Sequence, residues 1–182
     1  MSELIVLFIC AGGVPLIWAI VTLNNFARLQ NLMRESWANI DVALKRRHDL
    51  IPNLVETVKG HAAHESEVLE RVVSARERAL AGSSVDENEL AKAVNLLLAR
   101  VEAYPELTAS TSFQRLQQEL INTEDRIAAA RRFYNANVRD YNMLLQSFPA
   151  SLLRGGRKEA EFYKVDAIQV REPIAITAQG VQ

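Results

Sequence analysis

The sequence predicts an all-α protein in which an N-terminal transmembrane helix continues into an elongated antiparallel bundle of about four helices. Residues 4–23 carry no charge, and beyond them apolar residues recur at steps of three, four and seven. Strand-like alternation and β-α-β patterns are missing from the sequence up to residue 150. This combination favours helices packed against helices over an α/β enzyme fold.

Length and composition set limits on the class of protein. The chain has 182 residues, of which 49% are hydrophobic, enough for one soluble domain and an anchor. Its formal net charge of -1 argues against a nucleic-acid partner, which would call for a basic excess. With Cys10 as its single cysteine, the chain cannot form an intrachain disulfide.

The apolar segment 4–23 is predicted to be an uncleaved, single-pass membrane anchor. A helix of that length rises about 30 Å, the thickness of the hydrocarbon core of a bilayer. A cleaved signal peptide would need a basic start, whereas Ser2 and Glu3 offer none. Arg28 and Arg34 follow the segment, so the positive-inside tendency places the N-terminus outside and the bundle in the cytoplasm.

The first soluble helix is expected to continue from the anchor, from near Phe26 to Val58 or Lys59, with Gly60 as its terminator. Pro52 lies inside this pattern, where it removes a backbone donor and should bend the helix. The apolar stripe consists of Met33, Trp37, Ile40, Leu44, Ile51, Leu54 and Val58.

Three further helices are expected. The second begins near His64–Ser66 and breaks at Gly82. Ser84 and Glu87 have the spacing of a capping box at the start of the third, which Pro105 ends. The last and longest runs from about residue 110 to 148.

Three regions follow from this pattern: an anchor at 1–23, a bundle at 24–150 and a C-terminal tail at 151–182. In the tail, Ile168 and Val170, then Ile174 and Ile176, alternate with other residues, which indicates an extended chain. Such a tail could lie along the bundle, add to the sheet edge of a partner, or be disordered.

Three motifs stand out along the chain: Leu44-Lys45-Arg46-Arg47-His48-Asp49-Leu50-Ile51-Pro52-Asn53-Leu54, Val101-Glu102-Ala103-Tyr104-Pro105-Glu106-Leu107, and residues 123–135 with Tyr141-Asn142 and Phe148-Pro149. Through these motifs the chain resembles the LemA family over about residues 24–163. The resemblance implies a membrane-anchored antiparallel helical bundle of bacterial type, with no established enzymatic activity and no assigned catalytic residues.

Charged and amide side chains occupy positions that the stripes assign to the interior. A buried charge needs a partner, and a polar layer inside a bundle can fix the register of its helices. We therefore predict a structural polar layer in the interior. It consists of Arg47, Glu124, Arg131, Asn135 and Asn142.

The sequence offers little for catalysis. His61 and His64 have the i, i+3 spacing of two metal ligands, but two ligands rarely hold zinc alone and Gly60 breaks the helix there. A phosphate-binding loop and an activated nucleophile are also missing from the motifs. We therefore predict no catalytic residue, metal or cofactor.

The predicted function is a membrane-tethered scaffold or adaptor for protein assembly, with a possible homo-oligomer. The bilayer contacts residues 4–23. The alternatives are a lipid-binding or membrane-shaping element and, less favoured, a metal-dependent enzyme. Candidate partner contacts are Trp37, Lys45, Arg46, Phe162 and Tyr163, although Trp37 also fits the core, and Lys45 and Arg46 also fit a solvated face.

Overall fold

The computed structural model describes residues 2–62, 65–82 and 84–163, and describes side chains within 12–62, 65–82 and 85–163. Over these residues the protein is all-α, without a strand, which confirms the predicted all-α class, and it has five helices where about four were expected. A 3-10 turn, Ala150–Leu153, follows the last helix. The helices are α1 (Ser2–Lys59), α2 (Ser66–Ala79), α3 (Ser84–Val101), α4 (Pro105–Thr108) and α5 (Thr111–Gln146).

Helices α1 and α5 form the long antiparallel pair of the bundle. Phe26 packs on Tyr141, and Trp37 packs on Tyr134. Farther along α1, Arg47 reaches Glu124. Positions therefore rise along α1 as they fall along α5. The shorter hairpin of α2 and α3 packs on the distal half of α1, the half farther from the N-terminus.

The apolar core has two parts, which we name the distal and proximal clusters. The distal cluster joins α1, α2, α3, α4 and α5, because each contributes an apolar stripe or a single apolar side chain. The proximal cluster consists of Phe26, Leu29, Tyr141 and Leu145. The fully buried members of the distal cluster include Leu54, Val58, Val72, Leu90, Leu97, Leu107, Phe113 and Leu120.

The helix ends follow the predicted signals, with two differences. α1 ends at Lys59 before Gly60, as predicted, and runs through Pro52 without ending. The first difference is at Pro105, because α3 already stops at Val101. Pro105 instead opens the short α4, where its missing N–H has no cost because the first N–H groups of a helix have no helical acceptor. The second difference is at Glu87, whose carboxylate contacts Arg47 and His48 on α1, while the side chain of Ser84, its predicted capping-box partner, is not described.

The predicted anchor lies partly outside the described side chains, which begin at Gly12. From there to residue 21 most side chains of the helix are exposed, and Val14, Leu16 and Ile17 are more than 60% exposed, whereas Thr22 is buried. Within the described part of the chain, none of the helices combines the length and apolarity needed to cross a membrane.

The C-terminal tail is described as far as Tyr163. After the 3-10 turn it is irregular, and residues 157–163 run back along α1 and α5. The predicted extended stretches at 168–170 and 174–176 lie outside the described residues.

Candidate partner-binding groove

A groove of about 790 Å³ lies between the middle of α1, the end of α2 and residues 161–163. Its walls carry both apolar and charged side chains, as in sites that bind protein segments. Leu80 and Phe162 are 56% and 48% exposed. The lining from α1 includes Trp37, Asp41, Leu44, Lys45, His48 and Asp49.

An ionic group centred on Arg47 lies below the groove. The Arg47 side chain is 1% exposed and its Nη1 donates to Oε1 of Glu124 on α5 at 2.9 Å. Its Nη2 donates to the carboxylate of Glu87 on α3, and to the main-chain oxygen of Glu87 at 3.1 Å. One guanidinium thus joins three helices, and its planar fork suits this geometry.

His48 and Arg76 extend this group toward α2. Nε2 of His48 lies 3.0 Å from Oε1 of Glu87, so one carboxylate contacts two successive residues of α1. Nε of Arg76 donates to the main-chain oxygen of His48 at 2.9 Å. In a regular helix that oxygen would accept from residue 52, but Pro52 has no N–H. Arg76 therefore satisfies an acceptor that the proline leaves without a helical donor.

Two asparagines of α5 hold the C-terminal segment through its backbone. Asn142 donates to the oxygen of Ala160 and accepts from its nitrogen, both at 2.9 Å. Asn135 makes the same pair of contacts with Tyr163, at 3.3 and 2.8 Å. Seven helical residues span about 10 Å, and so do three extended residues. The heptad spacing of the asparagines therefore matches the three-residue step along the segment.

Aromatic contacts fix the end of this segment beside α1. Tyr163 is 8% exposed, and its ring centroid lies 5.8 Å from that of Trp37. The guanidinium carbon of Arg131 lies 4.7 Å from the Tyr163 centroid, a cation–π distance. Trp37 also meets Tyr134 edge-on at 5.1 Å. These rings form the wall from which Phe162 projects.

The five residues predicted for one interior polar layer lie in two separate groups. Arg47 and Glu124 lie together, with Glu124 half-buried. Arg131, Asn135 and Asn142 are also half-buried and contact the C-terminal segment instead. These three side chains face a neighbouring part of the chain, but it is the irregular C-terminal segment and not a helix, so heptad positions do not represent it.

The predicted partner contacts divide between two faces. Trp37, Lys45, Phe162 and Tyr163 all line the groove. Arg46 lies on another face, where its Nη2 meets Oε2 of Glu119 at 2.6 Å. Tyr163 is nearly buried by its internal contacts, so among the predicted partner contacts the exposed apolar surface belongs to Phe162 and Trp37.

The rim of the groove is acidic. Asp41, Asp49 and Glu161 are exposed, against the single exposed cation Lys45. Near the rim, the Tyr134 hydroxyl donates to the main-chain oxygen of Glu161 at 3.1 Å. Burial raises the pKa of Tyr134 above its ordinary value, and the charge of Glu161 raises this pKa further. The hydroxyl therefore stays a donor at neutral pH.

The residues that sequence reasoning missed are Glu87, His48 and Arg76. Glu87 has the sequence position of a helix-capping acid, and Arg76 that of a solvated helix cation. The one available signal was Pro52, because its missing N–H requires another donor for the oxygen of His48. The described residues hold no cluster of three metal-ligating side chains, while His64 lies outside them.

Comparison with known proteins gives one matching family model, that of the LemA family, over residues 36–177. Magnetosome protein MamQ of Magnetospirillum gryphiswaldense is 24% identical, over 77% of this chain and 64% of its own length. MamQ 2 of Paramagnetospirillum magneticum is 25% identical, over 78% and 64%. Protein LemA of Metamycoplasma hominis is 25% identical, over 82% and 69%. The chain thus spans less than two thirds of the MamQ relatives.

Proposed function

This chain belongs to the LemA family, and we propose that it is a membrane-tethered helical scaffold that binds proteins in its groove without catalysis of its own. The carrying observation is the convergence of Trp37, Lys45 and Phe162 on one open groove between α1, α2 and the C-terminal segment. These side chains come from distant parts of the chain, and the fold holds them side by side.

The proposed tether is residues 4–23, with the N-terminus outside and the bundle in the cytoplasm. Helix α1 continues from Ser2 to Lys59, so the apolar segment and the bundle share one rod. No residue that the structure describes covers the exposed Val14, Leu16 and Ile17, and a bilayer would supply an apolar environment. Anchoring would raise the local concentration of the groove near membrane partners.

The proposed partner is a protein segment with an apolar side chain and a nearby basic residue. Leu80 and Phe162 offer the apolar contact, while Asp41, Asp49 and Glu161 favour a cation. The relatives named as magnetosome proteins support a role in a larger assembly. A second copy of this chain is also a candidate partner.

Alkaline extraction of membranes tests the tether. The wild-type chain is expected to stay with the bilayer, whereas Val14→Lys with Ile17→Lys should release it, because charge near the centre of an anchor is costly. Val42→Lys is the matched control, since Val42 is 70% exposed on the bundle part of α1. Release of the wild-type chain under the same conditions would contradict the tether.

Chemical crosslinking in native membranes tests the scaffold. A specific neighbour or a homo-oligomer is expected to appear as a product of discrete mass. Recovery of the monomer alone, at crosslinker concentrations that capture a known membrane complex in the same sample, would count against a scaffold.

A further inference from the structure

The turn after α5 exposes two large apolar side chains. Phe148 is 82% exposed and Leu152 is 73% exposed, although Ala150 between them is 5% exposed. The turn itself is ordered by hydrogen bonds: Nη1 of Arg157 donates to the main-chain oxygens of Leu153 and Arg154. A fixed turn that presents two large apolar side chains outward favours a partner surface that covers them.

The fold places this turn beside the start of the bundle. The 3-10 turn packs against α1, and the guanidinium carbon of Arg157 lies 4.9 Å from the ring centroid of Phe26. Phe26 is three residues past the end of the apolar segment 4–23, which is about 5 Å along a helix. The turn therefore lies near the level at which the proposed anchor would leave a bilayer.

The charge of the turn fits an anionic surface. Residues 147–158 include three basic residues and no acidic residue. Arg157 is used within the turn, and Nε of Arg154 donates to the main-chain oxygen of Arg157 at 3.1 Å. The Arg154 and Lys158 side chains are both exposed. Aromatic side chains are favoured at the headgroup level, and basic side chains there are attracted to anionic lipids.

We propose that the turn at 147–158 is a second membrane contact, in which Phe148 and Leu152 enter the interface of an anionic bilayer while Arg154 and Lys158 meet lipid phosphates. The inference rests on the proposed tether, which holds the turn close enough for a weak contact to form. Two contacts, the anchor and the turn, would fix the tilt of the bundle and the direction in which its groove faces.

Depth-dependent quenching tests this contact in the full chain. In a Cys10→Ser background, a fluorophore is attached at Leu152→Cys, Ile17→Cys or Glu67→Cys, and the protein is reconstituted in vesicles of phosphatidylcholine and phosphatidylglycerol with spin-labelled lipid. Quenching is expected at positions 17 and 152, while Glu67, exposed at the distal end of the bundle, is the unquenched control. Absence of quenching at 152 overturns the turn contact, and absence at 17 overturns the tether.

Charge variants test the lipid chemistry. Arg154→Gln with Lys158→Gln is expected to lower the ratio of docked to undocked turn about fivefold for each basic side chain removed. Lys59→Gln with Arg71→Gln removes the same charge from exposed positions at the distal end of the bundle, outside the groove, and should leave quenching at 152 unchanged. Equal effects of the two pairs, or no effect of the first, would overturn the role of the basic residues.

Discussion

Arg76 of α2 donates from Nε to the main-chain oxygen of His48 on α1, at 2.9 Å, and so replaces the helical donor that Pro52 lacks. The proline and the arginine thus act as a pair, although they are on different helices. The missing backbone donor in α1 leaves a carbonyl oxygen that a cationic side chain from α2 can contact. This contact orients α2 on α1 at the floor of the groove.

A double-mutant cycle tests the pairing of Arg76 with Pro52. Arg76→Met is expected to lower the free energy of unfolding by about 1–2 kcal/mol, because a buried carbonyl loses a charged donor. In a Pro52→Ala background residue 52 regains its N–H, so the loss should shrink by about 1 kcal/mol. Urea denaturation in detergent, followed by circular dichroism, measures both. Arg78→Met is the exposed control, and additive effects of Arg76→Met and Pro52→Ala would exclude the pairing.

The ionic group at Arg47 should be the most sensitive polar site of the bundle. Arg47→Met leaves the carboxylate of Glu87 buried without its cation, which should cost about 3–5 kcal/mol of unfolding free energy. The double variant Arg47→Met with Glu87→Met should recover most of this loss. Arg46→Met, at an exposed ion pair, should cost less than about 1 kcal/mol. Similar melting midpoints for the Arg46 and Arg47 variants would contradict this account.

Removal of the asparagine side chains should detach the C-terminal segment. Each asparagine makes two hydrogen bonds to the segment, so Asn135→Ala with Asn142→Ala should remove about 1 kcal/mol per bond. Faster amide hydrogen exchange is expected at Ala160 and Tyr163, measured by mass spectrometry on peptides that cover 157–163. Asn122→Ala, at an exposed position of α5, is the control. Unchanged exchange in the double variant would mean that other contacts hold the segment.

Alkaline pH should loosen the same segment through Tyr134. The pKa of this hydroxyl is raised in the folded protein by burial and by the charge of Glu161, so the folded state favours the proton. Its stabilising contribution is therefore complete below the unfolded tyrosine pKa of about 10 and is lost as the pH rises through the higher folded pKa. Exchange at the segment should rise in that window, after correction for intrinsic rates. Tyr134→Phe should lack this pH-dependent step, and a step that persists in it would assign the effect elsewhere.

The long helices could be predicted because their signals are local. The stripe of α1 and the glycine after Lys59 are each visible within a few residues, and the burial of Ile40, Leu54 and Val58 agrees with that stripe. The sequence does not predict the groove. It indicates Trp37 and Phe162 as candidate contacts, but their proximity depends on how the tail returns along α5.

The missed contacts depend on packing between distant residues. Glu87 is forty positions from Arg47, and its place in the first turn of α3 fits a capping acid equally well. The C-terminal segment is held on α5 through its backbone N–H and C=O groups. Backbone contacts leave no pattern in the side chains of the segment itself. Its only trace in the sequence is the seven-residue spacing of Asn135 and Asn142, and that spacing also fits an interior layer.

The most direct test of the proposed function is a site-resolved crosslinking map in native membranes. A photoreactive phenylalanine analogue is placed at Phe162 or Leu80 in the groove, or at Ile121, which is 46% exposed and does not line the groove. The account predicts the same crosslinked product, of one discrete mass, from both groove positions and not from Ile121. This product should disappear when Asp49→Lys reverses a charge at the rim of the groove. Monomer alone at every position, or the same product from Ile121, would contradict a groove that binds a partner.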